Sequence, residues 1–406
     1  MSATGTKRYV LLGILIFLAA VLLFNCVAPE RTQDESIEME EPDEPEIKVG
    51  LTEDQRELVQ HLSREVPPTT QHVADSYEPS REVSIKTADF VVSWQMDYEG
   101  LGGWSKNFDD RIYSRKWDGE EPISHTFTRD NQLPTSSIDN DATTSHILYL
   151  AAVYDQYGGE KYKQAIHKAM DMILHMQHEE GSWGEMYPEQ TYETSLFENR
   201  GTILQKVHYN NMSLFQKVLM NTYPFDNDLF DTAYKERIQE SYDKGLEFII
   251  KSQIKQQGTL AGWAGKYDEK NYEPIWARSF EPPAIAGFDT AMILFHLLSI
   301  EEKNDDVIQA IYYGVMWMYE NVTLDMEYRS TTHPYFFEVS GMKMWYTFHD
   351  LETNEGIYAF EGEILQDIMD LPEERRHGYG WATERGFQIY DETLRYLEMS
   401  KEDMDE

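Results

Sequence analysis

The chain has 406 residues, of which 41% are hydrophobic and 13% aromatic, enough apolar material for a large core, so the bulk of it is not a disordered polymer. A formal charge of -38 excludes a nucleic-acid binder, which needs clustered Lys and Arg against phosphates. The single cysteine, Cys26, excludes an intrachain disulfide.

In chain order, Lys7-Arg8 precede an apolar run from Tyr9 to Phe24 that ends at Asn25-Cys26. The run is shorter than the roughly 20 residues of a membrane span and suits a signal h-region. Residues 1–28 therefore read as a signal peptide or signal anchor, with Cys26 a candidate lipoprotein acylation site. Lipid anchor, uncleaved anchor and simple secretion stay open, and all three place the domain outside the cytoplasm, at the cell surface or held to the membrane. Residues 29–49 are an acidic spacer too polar to order themselves: positions 30–46 carry nine acids and one arginine, with Pro42 and Pro45. The folded domain is expected over 50–399, and 400–406 form an acidic tail. A monomer is expected.

Within the domain one phrase recurs: a glutamine near a helix end, a short polar stretch, then Gly and Trp. The copies run from Gln95 to Trp104, Gln177 to Trp183 and Gln253 to Trp263. A recurrence at about 80 residues signals repeated supersecondary units. Glycine allows the turn that ends a helix, and tryptophan packs it against a neighbour. Between the turns the apolar spacing is helical, as in Ile147, Leu148, Leu150, Ala151 and Tyr154. Strand-like alternation is confined to pieces such as Tyr335 to Val339. The expected fold is all-α, a toroid or barrel of helical hairpins with long loops forming the site at one end. The segment Ser137–His146 packs small polar and acidic groups just before the apolar run Ile147 to Val153. Helix capping and metal ligation both explain Asp139 and Asn140.

Five segments, in order, carry a resemblance. Gly102-Gly103-Trp104-Ser105-Lys106-Asn107, Ser137 to Thr144, Gly181 to Pro188, Ala277-Arg278-Ser279-Phe280-Glu281-Pro282-Pro283 and Glu374-Arg375-Arg376-His377-Gly378-Tyr379-Gly380-Trp381 resemble motifs of the pectate lyases of polysaccharide lyase family ten. The likeness spans about residues 85 to 385 and implies an (α/α)3-barrel-like fold and cleavage of uronate glycans by β-elimination. It implies a calcium ion held through Asp139 and Asn140, since calcium wants hard oxygen ligands. It also implies carbohydrate binding through Lys106, Trp104, Arg278, Arg375 and Arg376, where arginines take sugar carboxylates bidentately. The family's proton-abstracting base is an arginine.

The chain departs from that pattern in three places. The family's second calcium segment ends in aspartate, and here His208-Tyr209-Asn210-Asn211 puts Asn211 there as the amide ligand. Thr347 replaces a substrate arginine. Ungapped counting from Thr353-Asn354 lands Glu361 on the base position, and no arginine lies between Arg329 and Arg375. The altered base is expected to be Glu361 or His349, with His146 and His208 as further candidates because histidine titrates near neutral pH. Three functions follow: a lyase for acidic or other polysaccharides, a non-catalytic glycan-binding protein, or a glycoside hydrolase using Asp139 with Glu361 or Glu281.

Overall fold

The computed structural model describes residues 50–67, 83–105, 136–138, 141–188, 206–268 and 271–405, with short strand pieces inside 193–203. The apolar run Tyr9–Phe24, Cys26, the acidic spacer, Lys106, Asp139 and Asn140 lie outside them. Among the described residues no helix is long and apolar enough to cross a membrane.

Residues 50–406 form one compact unit. Its helices are α1 (Glu53–Glu65), α2 (Ile85–Ser93), α3 (Thr144–Tyr157), α4 (Glu160–Met176), α5 (Lys206–Leu219), α6 (Thr232–Lys251), α7 (Gly287–Ser299), α8 (Asp305–Glu320), the short α9 (Glu373–His377) and α10 (Phe387–Asp405). Local chemistry sets several starts. Asp231 Oδ1 accepts from Tyr234 N at 2.8 Å and Asn304 Oδ1 from Val307 N at 2.9 Å, each satisfying an orphan first-turn donor. The last helix continues through Asp405, into the segment expected to be a tail.

Pairs α3/α4, α5/α6 and α7/α8 pack as hairpins. The first helix of each pair is interior: Thr144 to Val153 and Gly287 to Phe295 are buried almost without interruption. A helix apolar on every side belongs inside, whereas α4, α6 and α8 keep a polar face for solvent.

The tryptophan turns lock these pairs together. Trp104, Trp183 and Trp263 are fully buried, and each indole N–H donates back to the preceding helix, to Val91, Ile173 and Ile249 carbonyls at 2.8–2.9 Å. Each glutamine amide donates twice, to its own turn and to the next outer helix. Gln95 reaches Gly102 and Ala165, Gln177 reaches Gly181 and Ser241, and Gln253 reaches Ala261 and Ala310. A fourth copy, without the glutamine, is Trp345, whose indole donates to Met318 O at 2.8 Å. Gly314 in α8 is required by this packing, because a Cβ there meets Trp263 Cζ3 at 2.8 Å. Gln253→Ala strands two buried carbonyls and is expected to cost about 3 kcal/mol, read as a lower denaturant midpoint at unchanged slope.

The expectation of an all-α barrel is wrong in class. The protein is 49% helix and 16% strand, and the strands fall where loops were expected. The hairpin Thr323–Tyr328 with Phe336–Tyr346 is the longest, joined on its far edge by Ala382–Thr383. Its alternation is faint in sequence because both faces are part-exposed and the register slips between Leu324 and Met326, at Asp325 with φ 54°. A second core of Ala284, Tyr335, Phe348, Ile357, Tyr358, Ile368, Leu371 and Trp381 lies under this region.

Candidate active site

The other strands form short antiparallel ladders that join the inter-helix connections. Ser136–Ser137 pairs with Met186–Tyr187, Thr202–Ile203 with Lys266–Tyr267, and Ile285–Ala286 with Phe348–His349. Ile138 N donates to Glu185 O at 3.0 Å, and Gly362 N donates to Ser279 O at 2.8 Å. These bonds tie 136–138 to 185–187, 202–203 to 266–267 and Ser279 to Gly362, three links between stretches distant in sequence.

The polar start of α3 does more than cap a helix. Thr143, its N-cap residue, makes no side-chain cap bond. Its hydroxyl instead donates to Ser137 O at 2.7 Å and accepts from Trp104 N at 3.2 Å, which ties Ser137 and Thr143 to the first tryptophan turn. Asp141 is buried in a left-handed conformation (φ 57°) and accepts from the Thr144 hydroxyl at 3.1 Å. Trp104, expected to bind substrate, is stacked on His146 at 4.8 Å and leaves no ring face for a sugar.

Asn210 and Asn211, near the start of α5, are fully buried, and neither carboxamide has a hydrogen-bond partner. Buried amides are normally satisfied, so two adjacent orphans ask for a ligand. Their hard carbonyl oxygens suit calcium, and this donor chemistry fits the ion the resemblance implies. Among the described residues no group of three or more His, Cys, Asp or Glu is placed to hold a metal. His208 bonds Gly245 O at 3.0 Å, and burial pushes its imidazole down to about 3.

A cationic, aromatic patch lies on the 278–281 loop. The guanidinium carbon of Arg375 lies 3.7 Å from the centroid of the Phe280 ring, and that of Arg278 lies 5.8 Å from it. Arg278 Nε pairs with Glu281 at 3.4 Å, and Tyr379 donates to the other oxygen of the same carboxylate at 3.0 Å. Arg375 Nε is buried without a partner, so part of its donor set is uncommitted. Arg376 differs: it donates to Tyr335, Met369 O and Leu371 O, which commits it to holding the second core.

Of the two expected bases, Glu361 is exposed at the tip of the Tyr358–Phe360/Glu363–Leu365 hairpin, with φ 50°, beside the Arg278 loop. His349 is interior. Its Nδ1 faces Asn354 O at 2.9 Å, its ring abuts Trp317 at 5.0 Å, and burial holds it at about 4. Sequence reasoning missed Tyr379, whose hydroxyl donates to Glu281.

Arg278 and Arg375 thus share the Phe280 ring, and Asn210 and Asn211 offer hard oxygen donors near the start of α5. The pectic acid lyase family model matches residues 98–390. An aspartate-to-alanine mutant of a family 10 polysaccharide lyase from Cellvibrio cellulosa, in complex with trigalacturonic acid, is similar at 26% identity and a TM-score of 0.68, over 81% of this chain and 98% of that one. A family 10 polysaccharide lyase from the same organism matches at 25% identity and 0.67, over 86% and 98%. No curated protein matches. The chain belongs to the pectic acid lyase family.

Proposed function

We propose that the protein cleaves uronate-containing polysaccharide outside the cytoplasm by calcium-assisted β-elimination, with a base other than the family's arginine. The observation that carries this reading is the placement of Arg278 and Arg375 against one phenylalanine, Phe280. Two guanidiniums on a rigid aromatic bind a planar carboxylate with directional, charge-assisted bonds. Asp139, Asn140 and Asn211 would hold calcium, and Asn210, next to Asn211 in the chain, offers a further hard oxygen. When bound, calcium would withdraw charge from the uronate carboxylate and so acidify the C5 proton next to it. Arg278 and Arg375 orient that carboxylate, and the buried Glu281, itself held by Tyr379, fixes Arg278 in turn.

The two neighbouring arginines separate binding from scaffold. Arg375→Ala is expected to raise KM for de-esterified polygalacturonate roughly tenfold, from the lost charge-assisted bonds, with little change in melting. Arg376→Ala is expected to lower stability by about 2 kcal/mol and leave KM near the original. Methyl-esterified polymer lacks the carboxylate and should be a poor substrate. Equal rates on both polymers, or equal KM for both variants, would remove the arginine pair from the site.

A further inference from the structure

A cavity of about 720 Å³ lies between α1 and the C-terminal halves of α5 and α7. Helices α1 and α5 both pack on α7, and the groove runs between them. Arg278, Arg375, Asn210 and Asn211 are not among its lining residues. Phe295, which lines it, stands about 12 Å along α7 from Gly287, where the N–H bonds the Thr347 carbonyl. The volume is in the range of small-molecule sites.

Its walls are apolar. Val59, Val66, Phe295 and Leu298 are buried in them, and Met220 at the edge is 45% exposed. The charge around the groove reverses that of the chain: Arg56, Arg64, Lys217 and Lys303 line it against Glu301 alone, in a chain with 73 acids to 35 bases. Arg56 and Arg64 are held to Asp305 and Glu65 at 2.7 and 2.8 Å. Lys303 instead donates to the Ile300 carbonyl, and burial, with no carboxylate opposing it, pushes its amine below the ordinary lysine range.

His296 adds an independent observation. It lines the same cavity at 2% exposure, its Nε2 lies 3.3 Å from the Tyr242 hydroxyl, and its Nδ1 is buried with no partner. With Tyr242 donating to Nε2, the neutral ring carries its proton on Nδ1, and buried N–H groups without an acceptor are rare. His296 and Ile300, whose carbonyl the Lys303 ammonium holds, are one helical turn apart, so both donors belong to the same end of α7.

We propose that this cavity is a second ligand site, which takes a medium-chain fatty carboxylate with its head group at the Lys303 and His296 end and its chain along Val59, Phe295 and Leu298. A sugar acid has no apolar side long enough to cover these walls. A neutral chain covers them but leaves the cation and the imidazole N–H unanswered. The inference stands apart from the lyase reading, since the two sites share no residue.

The test is calorimetric titration of the full chain with monomeric sodium dodecanoate, beside dodecanol, butyrate and galacturonate. Dodecanoate is expected to bind saturably, one per chain. Dodecanol lacks the charge and butyrate the chain, so each should bind at least about tenfold more weakly, and galacturonate more weakly still. Lys303→Gln is expected to weaken dodecanoate about tenfold, the worth of one charge-assisted bond. Ser63→Trp brings an indole into the groove from α1 and should abolish binding. Both variants should keep the melting temperature and any absorbance formed from polygalacturonate; should one fail to fold, the other decides. No saturable dodecanoate binding, equal affinity for dodecanol, or unchanged affinity in a folded variant overturns the site. So does association with anionic vesicles alone, which makes the groove a membrane contact, or a dimer that Ser63→Trp splits, which makes it an interface between copies.

Discussion

Replacing Asn211 by aspartate is expected to move stability in opposite directions with and without calcium. The side chain is fully buried, with neither amide atom partnered. In chelator the new carboxylate is an uncompensated charge in the interior, and its cost is about 3–5 kcal/mol. In calcium the same carboxylate adds one full charge to the ligand set and is expected to tighten binding by roughly tenfold or more. Because binding to the folded state alone raises stability with ligand concentration, the gap between the two melting temperatures should widen well beyond that of the parent protein. Melting curves in excess calcium and in chelator check this. An equal drop in both conditions would place Asn211 in the core and remove it from the metal site.

A second large effect is expected on acidification. His146, His296 and His349 are buried neutral imidazoles, held by burial at about 3, 4 and 4 against an ordinary value of 6.5. The unfolded chain binds their protons first as pH falls below 6.5, so stability is full above that value and is lost as pH drops toward the folded values. At pH 4.5 each group costs on the order of 2–3 kcal/mol, and three together approach the whole stability of an ordinary domain. Carboxylates held low by partners, such as Asp89 and Asp97, titrate below this window. Denaturant titrations between pH 7 and 4.5 should show a falling unfolding free energy, with the slope reduced by about one proton in His296→Phe. A flat profile would mean that these imidazoles are reached by water.

Much of the scaffold is legible in the chain because it is built from one repeated device. Gln95, Gln177 and Gln253 each satisfy two carbonyls, and the tryptophans seal the same turn three times, so a spacing pattern points to real contacts. The fourth copy escaped notice because Trp345 has no glutamine and lies at the end of the second strand of the Thr323–Tyr346 hairpin. The sheets escaped because two-residue ladders such as Ser136–Ser137 are too short to show alternation. Their register is set by partners distant in sequence.

The motifs name Arg278, Arg375 and Arg376 alike and treat Arg375 and Arg376 as equals. Only the fold separates them, since one lies on Phe280 while the other is spent on Tyr335 and two carbonyls.

The measurement that bears most directly on the reaction is the product formed from polygalacturonate with calcium and with chelator. β-Elimination predicts chain shortening accompanied by ultraviolet absorbance from a C4–C5 double bond conjugated to the carboxylate, lost when calcium is removed. Chain shortening with new reducing ends and no absorbance would mean hydrolysis. Saturable binding of the polymer with neither would mean a glycan-binding protein, and either result would contradict the lyase assignment.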